Sequence, residues 1–257
     1  LKNELKRPWY EWPPDLRDRN SRSINESLRR YRIQVEEICW QQFEFKNQWH
    51  SLKGFCNEKG ISIIGDLPFY VSHDSADVWS HRTLFALKAN GRMRAAAGVP
   101  PDYFNSDGQL WGMPVFSWNN LKKDNYNWWI ERLGRNLQTC DVIRLDHFRA
   151  FSAYWEVAAN ESTARNGKWK PGPGHQFFLR ASRRFPAMPF IAEDLGDIDE
   201  KVRQLRNAFA FPGMKVLQFA FGGDVCRSEY SPHNHSREFV VYTGTHDNNT
   251  TRGWLSK

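Results

Sequence analysis

Asp146, Glu193 and Asp247 each follow a short apolar run. Val142-Ile143-Arg144-Leu145 precedes Asp146, and Phe190-Ile191-Ala192 precedes Glu193. Phe239-Val240-Val241-Tyr242 leads through Thr243-Gly244-Thr245-His246 to Asp247. A fourth run, Ile61 to Ile64, ends in Gly65-Asp66. If the chain gathers these strand ends, like charges in one cleft push one carboxyl's pKa upward, so that one is protonated while another stays ionised. Cleavage of a glycosidic bond needs that division: an acid protonates the leaving oxygen while a carboxylate attacks or stabilises the oxocarbenium-like state. A single Asp at a strand end is an ordinary turn or cap residue; three on successive strand ends form a pattern. Arg144, two residues before Asp146, lies on the same face of its strand and can hold that carboxylate ionised.

The same residues also suit a divalent metal, with His147 and His246 as extra ligands. Neither histidine belongs to an H-x-x-H or H-x-H pair, and hydrogen bonding to sugar hydroxyls uses the same residue types. No metal and no organic cofactor is expected.

Strands must deliver these carboxylates. The four runs, with a fifth from Met214 to Phe221, alternate with helical patterns such as Asp199 to Phe209, which implies a parallel sheet. Strands that each end in a carboxylate suggest a (β/α)₈ TIM barrel, whose active site gathers at the C-terminal face. A doubly wound sheet is the alternative, but no Gly-rich phosphate loop follows any strand. Five strands are visible, so three of eight would be missing. Residues 1–60 read as a helical segment: Ser23-Ile24-Asn25-Glu26 has capping-box spacing, and the helix after it, broken once, runs to about Lys59 before Gly60. Residues 61–257 read as the partial barrel. The interval from Asp66 to Asp146 is 80 residues, against 47 and 54 for the next two. Its excess, from Ala97 to Gly112 and on to about residue 118, reads as a rigid aromatic substrate loop.

The chain has 257 residues, 36 basic and 29 acidic, for a net charge of +7. Aromatics make 15% (12 Trp, 8 Tyr, 18 Phe). Basic residues are scattered without a block of like charge, and no nucleic-acid-binding signature is present, so no nucleic-acid partner is expected. A mean hydropathy of −0.70 and the lack of a long uncharged apolar run argue against a membrane span. Four widely spaced cysteines read as free thiols, and a cytoplasmic location follows from them. The chain starts without Met and stops at Trp254-Leu255-Ser256-Lys257, which reads as a piece of a longer protein.

Several segments together resemble 4-α-glucanotransferases, also called amylomaltases, of glycoside hydrolase family 77 in the α-amylase clan. They are Ile64-Gly65-Asp66-Leu67-Pro68, Gly98-Val99-Pro100-Pro101-Asp102-Tyr103-Phe104, Gly108-Gln109-Leu110-Trp111-Gly112, Ile143-Arg144-Leu145-Asp146-His147-Phe148-Arg149, Ile191-Ala192-Glu193-Asp194-Leu195-Gly196, the stretch from Phe211 to Phe219, and Tyr242 to Asn248. The resemblance runs from about Pro8 to Trp254 in the family's order. It implies a retaining transfer of α-1,4-glucan segments between maltooligosaccharides, with Asp146 as nucleophile and Glu193 as general acid/base. It also implies that Asp247 grips the 2- and 3-hydroxyls of the sugar being cleaved, and that Arg144, His246 and Asp66 surround that sugar. Tyr103, Phe104, Gln109 and Trp111 match the loop over the acceptor side. Ala150 and Met113 depart from the family's usual Gly and Asn.

Family members are about twice this length, so the resemblance places the first barrel strands before Leu1 and the last after Lys257. The 257 residues alone are therefore expected to be unstable or inactive. The alternatives are an α-amylase-like hydrolase and an inactive glucan-binding fragment. The sequence leaves oligomeric state open.

Overall fold

A computed structural model describes residues 1–102 and 105–256. Five parallel strands carry the arrangement. Strands β1 (Ile64–Leu67), β4 (Val142–Leu145) and β7 (Phe190–Ala192) pair in that order, with Arg144 between Asp66 and Ile191 in register. Strands β8 (Gly213–Val216) and β9 (Phe239–Tyr242) form a second parallel pair, and the Ala192 N–H donates to Pro212 O at 2.8 Å, which brings β8 beside β7. Helices Asn127–Thr139, Gly174–Arg184 and Glu200–Ala208 fill the successive connections. Ile143, Leu145, Phe190, Ile191, Ala192, Met214 and Val216 are buried, the near-continuous apolar pattern of strands covered on both faces.

The structure shifts two of the expected strands. The first begins at Ile64 rather than Ile61, so Asp66 lies inside it. The run from Met214 to Phe221 is a strand only to Val216 and then turns into a 3₁₀ helix, Leu217–Phe221.

The segment read as a long loop is mostly sheet. Strands β2 (Ala95–Val99), β3 (Gln109–Pro114), β5 (Ala153–Ala158) and β6 (Lys168–Pro171) form an antiparallel sheet in the order β3-β2-β5-β6. Two of these strands, β5 and β6, had no counterpart in the sequence reading. Gly98 permits the close β2–β3 approach, because a Cβ there would lie 2.3 Å from Gln109 O. Met113 falls within β3 and packs partly buried on the core, and Ala150 is buried in the short helix Arg149–Ser152.

Every element before residue 60 is helical. The helix Ser21–Arg30 starts earlier than the capping-box spacing implies: Asn20 is the cap, its side chain accepting from the N–H groups of Arg22 and Ser23, while Glu26 pairs with Arg22. The expected break falls at Tyr31, and a second helix runs Arg32–Glu58 before Gly60 at φ 73°. This helix is poorly covered: Ile33 (70%), Trp40 (62%) and Phe45 (60%) are exposed.

Most aromatic side chains build the core. Phe69, Phe116, Trp129, Phe151 and Phe177 form a chain of edge, tilted and stacked ring contacts among the residues that follow β1 and β4. Burying each is worth roughly 2–3 kcal/mol.

Candidate active site

Arg144 organises the strand ends. Its side chain emerges between β1 and β7 and is only 8% exposed. Nη1 donates to Asp66 Oδ1 at 2.7 Å and to Asp146 Oδ1 at 3.0 Å, and Nε donates to the Met214 thioether at 3.3 Å. Burial works against its charge, but the Asp66 hydrogen bond and the charges of Asp66, Asp146 and Glu193 outweigh it, so its pKa rises.

Asp146 follows β4 directly, and its N–H donates to Leu67 O at the end of β1 (3.1 Å). Burial raises its pKa; Arg144 opposes this, while the negative charges of Asp66 and Asp247 add to it. Glu193 occupies the equivalent place after β7, its N–H donating to Leu145 O (3.1 Å) and its carbonyl accepting from Phe148 N–H (3.1 Å). The Glu193 carboxyl is pushed up to about 7, first by burial and then by the charge of Asp146; Arg144 and the N–H groups of His147 (2.8 Å) and Leu195 (3.2 Å) hold it back. Glu193 is thus poised to carry a proton near neutrality, beside an aspartate whose upward shift Arg144 restrains. This pair can give a proton to a leaving oxygen and present a nucleophile.

The third carboxylate is held differently. Asp247 and His246 are largely exposed, 70% and 69% for the side chains, with His246 Nε2 3.5 Å from Asp247 Oδ2. A local turn orients them: Asn248 Oδ1 accepts from Thr245 N–H and Oγ1, and Asp247 N–H donates to Thr245 Oγ1. The structure therefore bonds Asp66 and Asp146 to Arg144, with Glu193 and Asp247 coupled to them through charge.

On the flank, Trp111 of β3 is half-buried, its ring 4.8 Å from His147 and 5.9 Å from Tyr70. Its Nε1 donates to Gln109 Oε1 at 3.1 Å, two residues away on the same face of the strand. Tyr103 and Phe104 lie outside the described residues. Among the described residues, no group of three or more His, Cys, Asp or Glu is arranged to hold a metal ion. No helix among them is long and apolar enough to cross a membrane.

Sequence reasoning missed two contributors. Asp194 accepts from Met214 N–H (2.8 Å) and forms a buried ion pair with Arg206 (2.5 Å), locking the end of β7 to β8. His147, considered only as a metal ligand, presents its backbone N–H to Glu193. The adjacent D-H and E-D pairs were the available signals.

The 4-alpha-glucanotransferase family model, glycoside hydrolase family 77, matches residues 1–257. A 4-alpha-glucanotransferase of Aquifex aeolicus (strain VF5) is 45% identical over 99% of this chain and 52% of its own length. The chloroplastic/amyloplastic 4-alpha-glucanotransferase of Solanum tuberosum is 44% identical over 96% of this chain and 42% of its own. The amylomaltase from Streptococcus agalactiae, solved in complex with acarbose, superposes with a TM-score of 0.91 at 39% identity, over 99% of this chain and 52% of that one. The chain spans about half the length of the curated relatives it matches. It belongs to the 4-alpha-glucanotransferase family, glycoside hydrolase family 77.

Proposed function

We propose that the protein is a retaining 4-α-glucanotransferase that moves α-1,4-glucan segments between maltooligosaccharides. The observation that carries this reading is the opposed pair at the ends of β4 and β7: Glu193 held near 7 and Asp146 bonded to Arg144. Asp146 attacks the anomeric carbon and Glu193 protonates the departing oxygen. A covalent glucosyl-enzyme then forms, and a sugar hydroxyl, deprotonated by Glu193, displaces Asp146. Asp247 holds hydroxyls of the same sugar, and Asp66, Arg144 and His246 surround it. Gln109 and Trp111, with Tyr103 and Phe104, border the acceptor side. That the Streptococcus agalactiae amylomaltase was solved in complex with acarbose supports a saccharide ligand for this fold.

The architecture we propose is a (β/α)₈ barrel to which β1, β4, β7, β8 and β9 contribute five strands. Residues 1–60 form a helical subdomain segment, and residues 61–257 form the catalytic part with the 97–118 substrate segment. The parallel pairing and the strand-end carboxylates support this. Cys39, Cys56, Cys140 and Cys226 are all free thiols, which supports a reducing compartment such as the cytoplasm.

The test is incubation of maltotriose with the protein carrying all eight proposed strands, of which these residues supply five. Longer maltooligosaccharides should appear with glucose while total reducing ends stay constant. A rise in reducing ends without longer products would make the enzyme a hydrolase, and an unchanged substrate would overturn the reading.

A further inference from the structure

His147 joins the two halves of the site. It follows Asp146 directly and adopts φ 52°, a left-handed conformation that few residues other than glycine take. That conformation gives its N–H to Glu193 Oε2 at 2.8 Å. Its ring packs edge-to-face on Trp111 at 4.8 Å, with Tyr70 (6.2 Å) and Phe69 (6.4 Å) also beside it. The buried Nε2 has no hydrogen-bond partner among the described residues. Burial, reinforced by the charge of Arg149, lowers the imidazole pKa to about 4, so the ring is neutral. The polarity of this ring does nothing visible for folding; what the position uses is a flat surface.

Trp111 lies on β3, an edge strand of the antiparallel sheet. Its ring contacts toward the ends of the parallel strands are His147 and Tyr70. We infer that His147 is a positioning residue that seats Trp111 beside the catalytic carboxylates and so sets the split between transfer to sugar and hydrolysis. The inference rests on the proposed glucanotransferase activity. In the second step the anomeric carbon forms a bond to the incoming oxygen, and its bond to Asp146 breaks with the electron pair returning to that carboxylate. The proton of the incoming hydroxyl passes to Glu193. Water and a sugar hydroxyl compete for this step with the same atom balance. An indole wall packed on the residue next to the nucleophile displaces water and leaves the sugar favoured.

The test compares wild type, His147→Asn and His147→Phe on maltotriose, measuring glucosyl transfer against reducing ends released. Asn accepts the left-handed conformation and keeps the N–H to Glu193 but removes the seat. Its hydrolytic share should rise at least about five-fold and its acceptor KM should increase. Phe restores a ring, so its ratio should return to within about two-fold of wild type, although a bulky residue at this left-handed position should lower the melting midpoint. A third pair guards against a folding defect: if His147 acts through Trp111, His147→Asn added to Trp111→Leu changes the ratio no further. A wild-type ratio in His147→Asn, or an additive double variant, overturns the inference. So does a Phe variant as hydrolytic as Asn, which would mean that Nε2 touches the sugar. Absence of exchange in the wild type would instead overturn the parent reading.

Discussion

Asp141 and Asp146 bracket strand β4, one just before Val142 and one just after Leu145, and the fold treats them in opposite ways. Asp141 is surrounded by donors: the Ile63 N–H at 2.8 Å, Asn57 Nδ2 at 3.0 Å and Lys53 Nζ at 2.5 Å. Those bonds, the Ile63 N–H foremost, lower its pKa to about 2. Asp146 is partly desolvated among other carboxylates, and its pKa is raised. The donors at Asp141 come from the first strand's approach and the helix Arg32–Glu58, so its charge is spent on joining elements. Asp146 shares a single guanidinium with Asp66 and keeps a free oxygen for chemistry. One strand thus carries a structural carboxylate at its start and, in the proposed mechanism, the reactive one at its end, the division expected of the two faces of the proposed α/β barrel.

The largest effect that would sharpen this contrast is at the reactive end. Asp146→Asn should lower exchange by at least about 10³-fold while maltooligosaccharide binding persists, measured by single-turnover kinetics and calorimetry. Near-normal rates would remove Asp146 from the nucleophile role.

Glu193→Gln should cost roughly 10²–10⁴-fold and abolish the alkaline limb of the rate profile, since the proton donor is lost as pH rises through about 7. The variant also makes a stability claim. The folded-state pKa of about 7 exceeds the ordinary 4.5, so the native state binds more protons than the unfolded chain between those values. Wild-type stability contributed by this group is complete below about 4.5 and is lost as pH rises through about 7. Glu193→Gln should therefore melt higher than wild type above pH 7, and the gap should close toward pH 4.5. Melting curves that stay parallel across that range would contradict the buried, proton-carrying state.

Asp247 tests whether exposure separates activity from stability. Asp247→Asn should reduce exchange by about 10²–10³-fold through lost transition-state contacts. It should change stability by less than about 0.5 kcal/mol, because the side chain is 70% exposed. A large drop in melting midpoint would mean that the Thr245–Asn248 turn depends on this carboxylate.

The two ends of β4 were unequally legible. Asp146 and Glu193 were readable because each closes a short apolar run, a local signal that survives without knowing the partners. Asp141 was not, because its role comes from Lys53 and Asn57, more than eighty residues earlier. The first strand was placed three residues early because Gly65 looked like a stop. It is an internal glycine that lets Cys140 approach, and a Cβ there would lie 2.7 Å from Sγ. The antiparallel sheet was hidden for a related reason. Gly98, Pro100, Pro101 and Gly108 carry turn chemistry, while the β2–β5 pairing that makes the segment a sheet is long-range. The capping-box spacing at Ser23 was matched by chance, since Asn20 three residues earlier also caps and wins.

The smallest predicted effect is at Asp141. Asp141→Asn keeps the shape and one acceptor oxygen for Ile63 but removes the charge facing Lys53, whose side chain is 19% exposed. The expected loss is about 1–2 kcal/mol, a charge-assisted bond weakened in a partly solvated place. Its sign with pH is opposite to that of Glu193: the folded pKa lies below the ordinary value, so the stabilisation is present above about 3.8 and disappears as pH falls through about 2. Wild type and variant should therefore converge in acid and separate at neutrality, as read by denaturant melts at pH 2 and pH 7. Exchange rates at neutral pH should match for the two, because no donor to Asp141 touches the carboxylates at the far end of β4. If Asp141→Asn slowed exchange as strongly as it destabilised the fold, strain at the start of β4 would be reaching its end, and the separation between the two aspartates would fail.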